Sequence, residues 1–558
     1  MKIKHTYLFI ILILSAFFLA SCKNESPTKS NRVVVGITAD IESLNPLFTF
    51  TLDEGQISEL LYLSLVKHDW DDEKGNLKVS PMLAEKWEWS DDSLSIIFNL
   101  RNNINWRDGK TITAEDVVFS FDLYSDPNIQ SRLYGYFEKF YLEKDLHINL
   151  KKTFEIIGPK TVKINFVKGS APTLFDVDVP IIPKHIFEKL DRKNLITLEK
   201  GIDSVTSGPF YLERWDKNQA IILRKNEKSF LYNSTENRQN ISELIFKVVP
   251  DYNSRLTQLK KGEIDLMEDV NPGDVDEIGS NENINISSVK GRNYDYVAWN
   301  NINPKIFEEK NLVKSNELFG FANIRKALTY SINRKEILSE FLNNKGSIAV
   351  SPVPDIFKNA FNDSIENYNY DPQKAKQILE QEGWKDIDKD GILEKGGKKF
   401  SFTIYYPSGN PLRDFAAAII KNNLKAVGIE ANTSSVEPGV FFEKAFSRKY
   451  DAWMAGWSIA IPLDLKPFWF SDLKETPNNL AGYQGKKMDE ILLKLDSKIT
   501  EEEKNKLYKK AQEIIHNDEP VTFLYWIDNI VAYNKRINDI TISPLGAVQK
   551  CWEWKVAQ

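Results

Sequence analysis

The chain has 558 residues, 42% of them hydrophobic, among them 13 Trp, 21 Tyr and 32 Phe, and a formal net charge of −6. The apolar supply is ample for a core, and the length is several times the ~100–200 residues of one domain, so two or more lobes are expected. The acidic balance speaks against nucleic acid, which demands a basic face, and five scattered histidines (His5, His68, His147, His185, His516) without ligand spacing speak against a dedicated histidine metal site; no cofactor is expected.

The chain opens on an export signal. Lys2 and Lys4 precede an apolar run from Tyr7 to Ala20, interrupted by Ser15 alone. The run is shorter than the ~20 residues that cross a hydrocarbon core of ~30 Å, and a charged start followed by a short apolar stretch is the layout of a secretory signal. Leu19-Ala20-Ser21-Cys22 resembles the bacterial lipobox, which implies that residues 1–21 are removed and that Cys22 is diacylated as the first mature residue. Two or more acyl chains anchor a protein stably where one does not. Residues 22–30 form a polar tether. The body is thus expected to be extracytoplasmic, held by lipid to a bacterial membrane and facing the periplasm or the cell exterior. With Cys22 so used, Cys551 lacks an intramolecular partner, and the fold must rest on its core instead of disulfides.

Short β-branched runs then alternate with helical patterns. Arg32 to Asp40 (RVVVGITAD) predicts a strand ending before the turn Leu44-Asn45-Pro46, and Ser93 to Arg101 (SLSIIFNLR) predicts another. Thr113-Ala114-Glu115-Asp116 offers an N-cap and first-turn acids, with Val117, Phe121 and Tyr124 following on one face. Ile324, Leu328 and Ile332 predict a helix that runs until "NNKG" closes it near Gly346. Asp371-Pro372 predicts a helix start and Gly383 its end. The charged stretch before Pro520 predicts a helix, and Val521 to Trp526 (VTFLYW) a buried strand. Mixed elements over this length imply α/β lobes.

Three stretches together carry a resemblance. Pro81 to Asp122 (PMLAEKWEWSDDSLSIIFNLRNNINWRDGKTITAEDVVFSFD), Ser207 to Trp215 (SGPFYLERW) and Ile324 to Leu338 (IRKALTYSINRKEIL) resemble, in order and separation, segments of the family 5 extracytoplasmic solute-binding proteins. These are the oligopeptide-, dipeptide- and nickel-binding receptors of ATP-driven importers. Tyr450 to Trp457 (YDAWMAGW) is similar to the family strand that leads to the binding loop. The resemblance covers nearly the whole mature chain. It implies an α/β, two-lobed periplasmic-binding-protein fold with hinged lobes and an extra subdomain in lobe I. By analogy lobe I takes residues 31–295, with the subdomain at about 55–200, lobe II takes 296–524, and 525–558 return to lobe I. It also implies a non-enzymatic, monomeric receptor that traps a small solute, first of all an oligopeptide, and delivers it to an ABC permease and ATPase complex. The alternatives are a non-peptide polar solute such as a sugar, a transporter-free sensor or chaperone-like surface lipoprotein, and a secreted hydrolase.

For the site, the family positions imply that Trp299-Asn300-Asn301 and Gly456-Trp457-Ser458 line the cleft, although each tryptophan could instead pack the lobe II core. Peptide-binding members carry an aspartate shortly after the Gly-Trp pair that meets the peptide's free amino group. Here Ser458, Ile459 and Ala460 follow, and Asp464 is the nearest acid. Arg413 stands as a substitute anchor for the ligand carboxylate. Trp87, Trp89 and Trp106 are expected in the subdomain core. Ser207 sits in a turn with no neighbouring histidine in sequence, against a hydrolase. Asp386-x-Asp388-x-Asp390-Gly391 begins like a calcium loop, but Gly397 occupies the place of the bidentate glutamate, so an acidic turn is the favoured reading.

Overall fold

The computed structural model describes residues 31–197, 205–232 and 241–557; Cys22 and the tether lie outside the described residues. Strand β1 (Arg32–Ile37) is the predicted apolar run. It pairs in parallel on both sides, so both faces are covered: Val33, Val35 and Ile37 enter one core and Val34 another. Thr51 and Glu54 close a capping box on α1 (Leu52–Leu61). The hairpin β2 (Val66–Asp71) and β3 (Asn76–Pro81) follows. The subdomain sheet comprises β4 (Ala84–Trp89), β5 (Ser95–Leu100), β6 (Phe154–Gly158) and β7 (Thr161–Asn165), in the order β4-β5-β7-β6. The predicted helix α2 (Ala114–Ser125), with its Thr113–Asp116 capping box, packs on this sheet. Trp106 is buried there, and Trp87 and Trp89 lie beside Phe98 and Phe166, as expected of core residues.

The chain then completes lobe I with β8 (Phe210–Asp216), β9 (Ala220–Lys225), β10 (Glu243–Val248), α3 (Tyr252–Lys261) and β11 (Leu266–Met267). The 16-residue β12 (Ile284–Trp299) carries it into lobe II. There follow α4 (Ala322–Ser331), α5 (Arg334–Glu340), β13 (Gly346–Ile348), α6 (Pro372–Gln381), the hairpin β14 (Glu394–Lys395) and β15 (Lys398–Lys399), β16 (Ser401–Pro407), α7 (Pro411–Ala426), β17 (Glu430–Val436), β18 (Ala452–Ser458) and α8 (Glu501–Asp518). Strand β19 (Val521–Asn534) returns to lobe I. The main sheet runs β17-β16-β18-β12-β19-β11-β1-β10-β9-β8, with β13 beside β19. Among the described residues only β12 and β19 belong to both halves, and they pair antiparallel along most of their length. The result is a two-lobed α/β fold with separate cores on the faces of each half-sheet.

One expected element differs. The helix through Ile324 and Leu328 does not continue to Gly346: Ile332 is extended, and Asn333 caps a new helix, α5, by accepting from the Glu336 amide at 3.3 Å. Asparagine competes with the helix for backbone groups and starts helices better than it continues them. Two arginines of this family-like stretch are structural. Arg325 donates to the carbonyls of Phe319, Asp518 and Glu519 at 2.6–2.8 Å, tying α4 to the end of α8. Arg334 donates to the carbonyls of Ala349, Phe523 and Tyr368.

Candidate ligand-binding cleft

A cavity of about 280 Å³ lies where the two lobes meet across β12 and β19. Lobe I contributes Ile37 and Thr38 at the end of β1, Leu52, Asp53 and Gln56 of α1, Glu268 and Asp269 after β11, and the C-terminal loop Ser543–Gly546. Ser458, at the end of β18, comes from lobe II. The crossing strands supply Arg292, Asn293, Asn529 and Val531.

The crossing is irregular at this point. Val289 faces Asn529 and Asn293 faces Ile527 in regular pairing, so Lys290, Gly291 and Arg292 oppose Asp528 alone. Such extra residues bend a strand and re-aim its side chains. Gly291 is required by the closeness of the partner strand: a Cβ there would stand 2.0 Å from the Ile527 carbonyl oxygen. The excess places the Arg292 guanidinium on the cavity. It donates to the Ile459 carbonyl at 2.7 Å, pairs with no carboxylate among the described residues, and has its pKa lowered by burial.

The lobe I wall is acidic. Asp53 and Gln56 are three residues apart on α1, hence on one face, and both reach the cavity. Burial, then Asp269 and Glu54, raise the Asp53 pKa. Burial also pushes Glu268 up to about 7, with Asp53 and Asp269 adding to the rise, while the Ala547 amide and the neighbouring Gln56 side chain oppose it. Asp269 is answered by Arg255, which is anchored on the Val249 and Pro250 carbonyls at 2.6 and 2.9 Å. The cleft therefore sets carboxylates on one wall against a lone guanidinium at the crossing strands.

Residues 78–479 match the model for bacterial extracellular solute-binding proteins, family 5 middle region. The chain belongs to this family. Its relatives include the oligopeptide-binding protein AppA of Bacillus subtilis, 27% identical with 98% of each chain covered, and the dipeptide-binding protein of Escherichia coli, 27% identical over 90% of this chain and 91% of that one. Similar solved structures include Bacillus subtilis AppA with a nonapeptide (TM-score 0.72, 27% identity, 94% of this chain and 99% of that one). NikZ of Campylobacter jejuni with Ni(L-His) is also similar (TM-score 0.73, 25% identity, 94% and 99%).

The fold places the expected family 5 site residues unequally. Trp299 is fully buried: its indole donates to the Thr522 hydroxyl at 3.0 Å and packs on Phe319 and Phe402 in a lobe II core. Asn300 donates to the Arg448 and Tyr450 carbonyls, and Asn301 to those of Trp299 and Pro520. These three pin β12 and the start of β19 inside lobe II, and none lines the cavity. The strand alternation that puts Val297 in that core puts Trp299 there too. Arg413 is bound to Asp295 and is no free anchor for a carboxylate; the part-buried Arg292 is the guanidinium that lines the cleft. Gly456 lies opposite Asp295 in the ladder. Trp457 sits edge-on to Phe468 at 4.9 Å in a small aromatic niche of about 20 Å³ with Tyr294 and Tyr296. Ser458 lines the main cavity; Ala460 and Asp464 are exposed and do not, and Asp464 accepts from the Lys466 amide at 3.0 Å.

Arg292, Asp53, Gln56 and Glu268 are absent from the sequence-based candidates. Only weak local signals exist, and for two of them: Gly291 inside a strand pattern beside Arg292, which marks a bulge or close approach, and Glu268-Asp269 directly after a strand, where crevices of α/β sheets open; Asp53 and Gln56 have none.

The remaining candidates have these surroundings. Ser207 is buried, and its hydroxyl accepts from the Leu63 amide at 2.9 Å. Each described histidine has its own partner: Asp178, Asp122 and Asp108 for His68, His147 and His185, and the Val350 carbonyl for His516. Asp386, Asp388, Asp390 and Glu394 bring their carboxylates within 4.8 Å of one another. Glu394 stands nine residues into the loop, its Oε2 accepting from the Ile387 amide, and Lys399 supplies the cation beside Asp388 and Asp390. No helix among the described residues is long and apolar enough to cross a membrane.

Proposed function

We propose that this chain is the lipid-anchored substrate-binding protein of an ABC importer, which captures an oligopeptide between its lobes and hands it to the permease and ATPase. The observation that carries this reading is the cavity shared by both lobes at the two crossing strands, β12 and β19. Its volume lies near the lower end of the ~300–1,000 Å³ typical of ligand pockets. A solute seated there contacts both lobes only when they are together, so binding favours the closed form and hinge closure follows from differential affinity. Lobe I takes residues 31–295 and 525–558, lobe II takes 296–524, and the receptor acts as a monomer without catalysis. The peptide assignment is supported by the oligopeptide- and dipeptide-binding relatives, which match almost end to end. Anchoring rests on Cys22 and its lipobox.

Mass spectrometry of small molecules released from the purified protein tests the ligand class. Peptides are expected; release of a sugar or of a metal–histidine chelate overturns the peptide reading. Palmitate labelling tests the anchor. Wild type is expected to take label, and a Cys22→Ala variant to remain an unlabelled precursor. A processed, labelled Cys22→Ala protein overturns the anchor.

A further inference from the structure

The loop after Gly456-Trp457 offers Ser458, Ile459 and Ala460, none of them charged, so an ammonium seated there would lack a partner. A buried ammonium without a carboxylate is very costly. The opposite wall of the same cavity has the reverse imbalance. Of its three acids Asp269 alone is neutralised, by Arg255, while Asp53 and Glu268 have no basic partner among the described residues. A further observation points to a ligand. Gln56 is buried beside Glu268, yet its Nε2 makes no hydrogen bond of regular geometry, and the residue lines the cavity. An amide donor beside two carboxylates complements an ammonium that is followed at once by a carbonyl oxygen. That is the chemistry of a free peptide amino terminus.

We infer that Asp53, Glu268 and Gln56 on lobe I seat the ligand's amino terminus, the ammonium between the two carboxylates and the first carbonyl accepting from Gln56 Nε2. The inference rests on the peptide reading above and deepens it. The amino terminus is thereby moved from the lobe II loop to the opposite wall, and Arg292 is left to meet acceptor groups farther along the peptide. Position is held firmly: Thr51 and Glu54 cap α1, and the Ala547 amide donates to Glu268 Oε1. Gly546 keeps the C-terminal loop close, since a Cβ there would stand 2.7 Å from Gln56 Nε2 and 3.2 Å from Glu268 Oε1.

The test titrates tetra-alanine and N-acetyl-tetra-alanine calorimetrically into the full mature chain, freed of co-purified ligand, and into Asp53→Asn and Glu268→Gln variants. Wild type is expected to prefer the free amine by about tenfold or more, the scale of a charge-assisted contact. Each variant is expected to lose most of that preference while its affinity for the acetylated peptide changes little. Equal affinity of wild type for the two peptides overturns the inference and leaves the peptide reading standing. So does a preference that both variants retain. Binding of neither peptide, nor of tri-lysine as a third probe, overturns both. The wild-type comparison decides even if a variant fails to fold.

Discussion

Arg413 and Asp295 form a bidentate ion pair between lobe II and the crossing strand β12, the arginine Nε and Nη2 donating to Oδ2 and Oδ1 at 3.0 and 2.8 Å. The pair joins the first turn of α7 to β12 beneath Gly456 of β18, where a Cβ would stand 2.2 Å from Asp295 Oδ1. Breaking a buried pair from one side leaves an uncompensated charge. Arg413→Ala is therefore expected to cost about 3–5 kcal/mol in chemical denaturation. Gly456→Ala should also destabilise, by crowding the same carboxylate. An Arg413→Ala protein of unchanged stability that no longer binds ligand would show instead that the guanidinium serves the ligand.

Arg334 donates to the Ala349, Phe523 and Tyr368 carbonyls and ties together three segments of lobe II. Burial pushes its pKa down to about 10, so it stays charged at neutral pH. Arg334→Met keeps the stem volume and orphans the acceptors, at about 1–3 kcal/mol for each one left unmet. Denaturant titration is expected to show a loss of several kcal/mol, and no measurable loss would contradict the network.

Glu268 has a pKa raised to about 7 in the folded protein, against an ordinary value of 4.5. Asp53, Asp269, Gln56 and the Ala547 amide surround it. Between those two pH values the folded state binds more protons than the unfolded one, so stability falls as pH rises from about 4.5 and levels off above about 7. Glu519, pushed up to about 8, adds a slope of the same sign. The difference between wild type and Glu268→Gln isolates the Glu268 share, expected at a few kcal/mol across this window. Parallel pH–stability curves for the two proteins would refute the raised value.

The β2–β3 hairpin tip touches lobe II. Lys358 Nζ donates to the Asp72 carbonyl, Asn359 Nδ2 to that of Lys74 at 3.3 Å, and Trp70 meets Phe357 edge-on at 5.8 Å. Gly75, at φ +62°, permits this contact, because a Cβ there would stand 2.1 Å from the Ile356 carbonyl oxygen. Gly75→Ala is expected to loosen the interlobe contact, enlarge the radius of gyration measured by small-angle scattering, and weaken binding about three- to tenfold through a smaller binding-competent fraction. An unchanged radius and affinity would mean that the contact does not bias closure.

Much of this protein was decided locally. Val33 to Ile37, the Thr113 capping box, the Asp371-Pro372 helix start and the buried strand at Val521 are each legible from residue type and spacing, because capping, alternation and proline geometry act over a few residues. The lipobox expected around Cys22 would be a signal of the same local kind, and it lies outside the described residues. The family segments marked the fold, yet Arg325 and Arg334 within them turned out to staple carbonyls that come from as far as Phe523, which no spacing rule reveals. The cleft was settled by tertiary structure alone. Asp53, Glu268, Arg292 and Ser458 are scattered from one end of the chain to the other and meet because β12 and β19 cross once between lobes. Trp299 and Arg413 went the other way, since strand parity and the carboxylate of Asp295, neither visible in their own neighbourhoods, drew them into the lobe II interior. A site made of lobe I carboxylates, a crossing-strand guanidinium and a lobe II hydroxyl depends on long-range pairing, and long-range pairing is what a linear pattern of propensities does not encode.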